Sequence, residues 1–125
     1  MIAFKTPRIR DEYTQLPQKN PKLFELVVDL AAFVERYGQD LTLTSILRTP
    51  EEQAALYKPG TPAPAKSAHL SWEAVDLRSL VFKKEEIDEI CAYLNQKYKN
   101  ANGKPVAFCH TVAGGAPHFH VQLFR

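Results

Sequence analysis

The chain has 125 residues, 45% of them hydrophobic and 24% charged, which suits one folded domain and excludes a disordered or fibrous chain. A domain of this length buries roughly two thirds of the surface its unfolded chain exposes, so neither a disulfide nor a metal is needed merely to hold it together. Sixteen basic against fourteen acidic residues leave a formal net charge of +2; the basic residues are scattered, which gives nucleic-acid binding little support.

The N-terminal stretch MIAFKTPRIRDEY contains no apolar run of signal-peptide length, and no segment is long and apolar enough to span a bilayer. A chain made in the cytoplasm, without membrane insertion, is therefore expected. Residues 1–20 carry Pro7 and Pro17 and little periodicity, and are expected to form an ordered arm over the surface of a single domain, 21–125. Asn20 followed by Pro21 is a helix start, a cap residue and then proline at the first helical position. Leu23, Phe24, Val27, Val28, Leu30, Ala31 and Val34 then recur at helical spacing until Gly38.

LTLTSIL, after Asp40, alternates as a strand does, and Thr49–Pro50 opens a short helix, PEEQAALY. Gly60 and three prolines between 59 and 64 predict a loop. EAVDLR reads as a strand and residues 83–98 as a helix with Ile87, Ile90, Cys91 and Leu94 on one face. VAFCHT and HFHVQLF read as two final strands joined by VAGGAP. The expected fold is α+β, helices flanking a small, mostly antiparallel sheet. Cys91 and Cys109 lack CxxC spacing; a reduced, buried pair is expected, with a bridge between them as the alternative.

Strand alternation sorts the four histidines. In HFHVQLF, His118, His120 and Gln122 point one way and Phe119, Val121 and Leu123 the other. In EAVDLR, Val75 and Leu77 turn to the core and Asp76 joins the polar set. His110 ends the neighbouring strand and can reach the same rim. Catalytic zinc usually takes three protein ligands and keeps a fourth position open, and imidazole with carboxylate suits it. His69, Asp76 and one histidine of the HxH pair supply that set. The other histidine then sits beside the metal, where imidazole exchanges protons near neutral pH. The competing possibility is a metal-free domain whose histidines are ordinary surface or core residues.

These residues also carry a resemblance. SAHLSWEAVD resembles the SxHxxGxAxD signature of zinc D-alanyl-D-alanine carboxypeptidases and phage L-alanyl-D-glutamate endolysins. Ser67, His69, Ala74 and Asp76 match it, and Trp72 stands where the family has glycine. HFHV resembles the HxH motif shared by lysostaphin-type peptidases, D-Ala-D-Ala peptidases and hedgehog domains, and is especially similar to that of penicillin-insensitive murein endopeptidases. TSILRTPEEQAALY is similar to the family's SGYRS…Q…LY segment, with Arg48 and Gln53 on the matching positions. The three motifs stand in the family's order between about residues 44 and 122.

The resemblance implies a hedgehog/DD-peptidase fold and Zn2+ held by His69, Asp76 and His120. It implies that His118 acts on protons or on the tetrahedral intermediate, and that Arg48 offers its guanidinium fork to a peptide carboxylate. Gln53, Ser67 and Trp72 complete the substrate-binding set, with Trp72 either a wall of the cleft or packed against the arm. A competing register makes His118 the ligand and sets Gly115 where the carboxylate base belongs. In the first register that place, three before the ligand, is Pro117. Neither supplies a carboxylate base; His118 and His110 are the candidates for its role, His110 having a loop-capping alternative. The implied activity is zinc-dependent hydrolysis of peptide bonds in bacterial peptidoglycan, as carboxypeptidase or endopeptidase, by a monomer working on stem peptides. A phage or prophage origin, with release by lysis machinery or carriage on a virion, is implied with it. The alternative is a zinc-containing peptidoglycan-binding or structural module that has lost hydrolysis.

Overall fold

The structure, a computed structural model, describes residues 1–55, 68–111 and 117–124, except the side chains of Gln53 and Thr111. The chain runs β1 (Ile2–Phe4), α1 (Pro7–Lys19), α2 (Pro21–Val34), β2 (Leu41–Ser45), α3 (Pro50–Ala55), β3 (Ala74–Arg78), α4 (Lys84–Lys97), β4 (Ala107–Thr111) and β5 (Pro117–Gln122). Short 3-10 turns follow α2 and precede β3, at Glu35–Tyr37 and Ala68–Leu70. The expected loop from Gly60 to Pro64, and most of VAGGAP, lie outside the described residues.

The fold is α+β, with one five-stranded sheet in the order β1-β2-β3-β5-β4. β2–β3, β3–β5 and β4–β5 pair antiparallel. β1 pairs parallel with β2, so the sheet is mixed, with three antiparallel pairings and one parallel. The added strand comes from the residues expected to be an arm. Ile2–Phe4 lie along Leu41–Leu43, and α1 and α2 supply the long connection that a parallel neighbour requires. α1 buries Ile9, Glu12 and Leu16, three positions on one helical face. Thr6 caps it by accepting from the Ile9 amide at 3.3 Å, and Pro7 takes the first turn, where no amide hydrogen is needed.

The sheet has two unlike faces. Val75, Leu77, Phe119 and Val121 are buried in the core with Leu23, Leu26, Val27, Leu30 and Val34 of α2 and Ile90 and Leu94 of α4. Each of these large side chains contributes on the order of 1.5–3 kcal/mol by leaving water. A carboxylate clamps the two core helices together: Asp29 accepts from the Tyr93 and Tyr98 hydroxyls at 2.9 and 2.7 Å, with Lys97 also at 2.7 Å. Asn95 clamps the start of β4, donating to the Ala107 carbonyl and accepting from the Val106 and Ala107 amides. Cys91 and Cys109 are free thiols. Among the described residues no helix is long and apolar enough to cross a membrane.

Asn20 joins the helical layer to the sheet. Its amide ends α1 on the Leu16 carbonyl at 2.8 Å, and its side-chain oxygen caps α2 through the Leu23 amide at 3.3 Å. Its side-chain nitrogen reaches the carbonyls of Leu123 at 2.9 Å and Trp72 at 3.2 Å. Asn20→Ala removes a cap and strands a buried carbonyl, for an expected loss of about 2–4 kcal/mol. Urea denaturation of the two proteins measures it, and a loss below about 0.5 kcal/mol contradicts the assignment.

Candidate metal centre

On the other face of the sheet the register assembles a polar cluster. Asp76 of β3 lies opposite His120 of β5, and Arg78 opposite His118. On the far side of β5, His110 pairs with His118 and Phe108 with His120. Directly opposed residues hold their Cβ atoms about 4.5–5.5 Å apart, close enough for their side chains to share one centre. His69 arrives separately, on the 3-10 turn before β3. Its carbonyl accepts from the Arg48 amide at 3.0 Å, and the Glu73 amide closes the turn on Ala68 at 2.9 Å.

Three atoms converge: His69 Nε2 is 3.1 Å and His120 Nδ1 3.2 Å from the same oxygen, Asp76 Oδ1. The partners on the far side of each ring fix its tautomer. His69 Nδ1 faces the Ile46 carbonyl at 3.0 Å, an acceptor, so Nδ1 carries a hydrogen. His120 Nε2 faces Gln122 Oε1 at 3.0 Å, and the Gln122 amide nitrogen is committed to the Pro105 carbonyl at 2.9 Å. That nitrogen then also carries a hydrogen. In their neutral forms both rings turn a lone pair toward a carboxylate oxygen. Such a point calls for positive charge, which extra protons or a metal ion can supply.

His69, Asp76 and His120 form a group that could hold a metal ion, one ligand atom from each lying within 4.8 Å of the others. Bonds of about 2.0–2.2 Å to a tetrahedral ion set neighbouring ligand atoms about 3.3–3.6 Å apart, a few tenths of an ångström from the two spacings to Asp76 Oδ1. Ring nitrogens oriented by a carbonyl and an amide oxygen are the usual outer support of such ligands. Two of the three are buried, His69 2% and Asp76 6% exposed, and His120 is partly buried. Burial by itself raises the Asp76 carboxyl. The hydrogen bonds of His120 and His69, with the charges of His69 and His118, outweigh it and hold the group well below the usual carboxylate range.

The second oxygen, Asp76 Oδ2, faces His118 Nε2 and Arg48 Nη2, each at 3.6 Å. The His110 ring lies 4.5 Å from that of His118, and burial, then the neighbouring imidazoles, pushes its pKa down. His110, His118 and Asp76 make a second group that could hold a metal. The structure thus brings together His69, Asp76, His120, His118, His110 and Arg48. Ser67 lies outside the described residues, as does Gly115 of the competing register, and so does the Gln53 side chain. Gln122 is the participant that sequence reasoning left without a role. Its place two residues after His120, on the same strand face, was the available signal.

Trp72 has φ +62°, the left-handed backbone that favours glycine and costs other residues about 1–2 kcal/mol. The ring packs against the core with Lys19 Nζ 5.8 Å from its centroid, and the Trp72 carbonyl is the one held by Asn20. Lys19 is thus a neighbour of the ring from the N-terminal segment.

Two measurements follow from this geometry. Gln122→Leu releases the His120 tautomer and is expected to weaken metal binding about 10–100-fold, read by competition with a chelating dye; unchanged affinity contradicts the role given to Gln122. Trp72→Gly is expected to be more stable than Trp72→Ala by about 1 kcal/mol, because both lose the ring and glycine alone escapes the backbone cost. Equal urea midpoints would contradict that.

Comparison of the chain with family models, with curated proteins and with solved structures found no match.

Proposed function

We propose that the chain is a small zinc-dependent peptidase of hedgehog/DD-peptidase type, cutting peptide bonds in bacterial cell-wall peptides. The observation that supports this most is the convergence of His69 Nε2, His120 Nδ1 and Asp76 Oδ1, with further imidazoles and a guanidinium alongside. The donor set of two imidazoles and a carboxylate suits zinc, and the order of the three sequence motifs agrees with it. Action from a phage or prophage, released by lysis machinery or carried on a virion, belongs to the same proposal.

A zinc ion in this set supplies a Lewis acid and a water acidic enough to attack a carbonyl at neutral pH. Each residue then has a task. His69 and His120 each keep one nitrogen hydrogen-bonded outward, to Ile46 and Gln122, so that the other stays available as a ligand. His118 takes the proton of the attacking water and returns it to the leaving amine. Its Nε2 stands 3.6 Å from Asp76 Oδ2, beside the ligand set rather than within it. His110, ring to ring with His118, is the second group able to exchange that proton. Arg48 offers its guanidinium to a carboxylate on the substrate.

One feature favours a second reading. Pro117, three residues before His120, occupies the place where the resembling peptidases carry a carboxylate base. A zinc-containing module that binds peptidoglycan without cutting it fits that substitution. Digestion of purified peptidoglycan, followed by mass spectrometry of the released fragments, separates the two. The peptidase should release peptide fragments only when metal is present. His118→Ala should lower release at least about 100-fold, the usual worth of a positioned acid–base group, with metal retained. A wild-type protein that holds zinc and releases nothing would leave the binding module standing.

A further inference from the structure

We propose that the chain has a second, weaker divalent-cation position, formed by Asp76 Oδ2, His118 and His110, and that filling it switches hydrolysis off. The site itself stands on geometry alone; its effect on hydrolysis rests on the proposed function.

The two oxygens of Asp76 serve different neighbours. Oδ1 meets His69 and His120 at 3.1 and 3.2 Å, while Oδ2 meets His118 Nε2 at 3.6 Å. His110 is paired directly with His118 across β4 and β5, their rings 4.5 Å apart. One ligand atom from each of Asp76, His118 and His110 lies within 4.8 Å of the others, a limit the first group also meets. Two imidazoles and a carboxylate are again donors that suit zinc and its neighbours in the first transition row. A carboxylate that gives one oxygen to each of two ions is compatible with the separation of about 3.5–4 Å found in two-metal sites.

Affinity at the two positions differs for physical reasons. Two of the three residues in the first group are buried, against one of three in the second, so the second is more open to water. Arg48 Nη2 also stands 3.6 Å from Oδ2, and a guanidinium keeps its charge at all working pH values. A second cation must displace that group or bear its repulsion. Filling is therefore sequential: the more buried group first, the outer one only at higher free metal. The outer ion takes the nitrogen lone pairs of His118 and His110, so neither ring can then carry the proton that peptide cleavage requires. Scarce metal activates the centre and abundant metal silences it.

Equilibrium dialysis of the full chain against graded free zinc, with bound metal counted by mass spectrometry, tests the site without reference to activity. Wild type should take up one equivalent tightly and a second at free zinc at least about tenfold higher. His110→Ala should keep the first step and lose the second. Arg48→Met, which removes the competing charge, should move the second step to lower zinc. Saturation at one equivalent up to millimolar zinc overturns the inference, as does a second step unchanged in His110→Ala. One equivalent with peptide release intact and insensitive to added zinc defeats this inference alone. Failure to bind any zinc defeats the proposed function with it.

Discussion

The constraint around which this structure is organised is a buried carboxylate. Asp76 sits in the middle strand of the sheet, and an isolated carboxylate there would cost several kcal/mol in lost hydration. The fold compensates by surrounding both oxygens with nitrogen: His69 and His120 at one, His118 and Arg48 at the other. Those four side chains come from three separate segments, β5, the 3-10 turn before β3 and the stretch after β2, so the charge balance at Asp76 ties the sheet, the turn before it and the end of β2 into one arrangement. The β3–β5 register is the controlling element. A slip of one residue would turn His118 and His120 into the core and bring Phe119 to the polar side.

What surrounds the ligand atoms is as informative as the atoms themselves. Ile46, Gln122 and Pro105 contribute carbonyl or amide groups that settle which nitrogen of each ring carries hydrogen. Without them the rings could exchange tautomers, and a lone pair would face the carboxylate only part of the time. Strain gathers nearby. Trp72 holds a left-handed backbone three residues after His69 and four before Asp76, and backbone cost of this kind persists where the surrounding structure enforces it. Here the enforcing contact is Asn20, which grips the Trp72 carbonyl while capping α2.

Much of this was legible in the chain itself. Alternation in HFHVQLF and EAVDLR sorted core from polar residues, because a sheet with one buried face imposes period two. The Asn20–Pro21 start and the Gly38 stop bracketed α2, with Gly38 adopting φ +72°. The first twenty residues were harder to read. α1 buries only Ile9, Glu12 and Leu16, too sparse a stripe among charges, and Pro17 in its last turn counts as a breaker by local rules. Glu12 in particular gives no apolar signal, since it is buried to accept from Arg8 and the Leu47 amide. β1, three residues long, gains its place from β2 beside it and from Phe4 packing on Tyr13. Local pattern could put His69 near Asp76 in sequence, but not the tether of its carbonyl to the Arg48 amide.

His69 Nε2, His120 Nδ1 and Asp76 Oδ1 form the group proposed to hold one metal ion. An anomalous difference map at the zinc edge, from crystals grown with one equivalent of zinc, addresses it directly. One peak is expected, about 2.0–2.2 Å from all three atoms. A map without a peak at that point, or with its peak on His118 in place of His120, would contradict it.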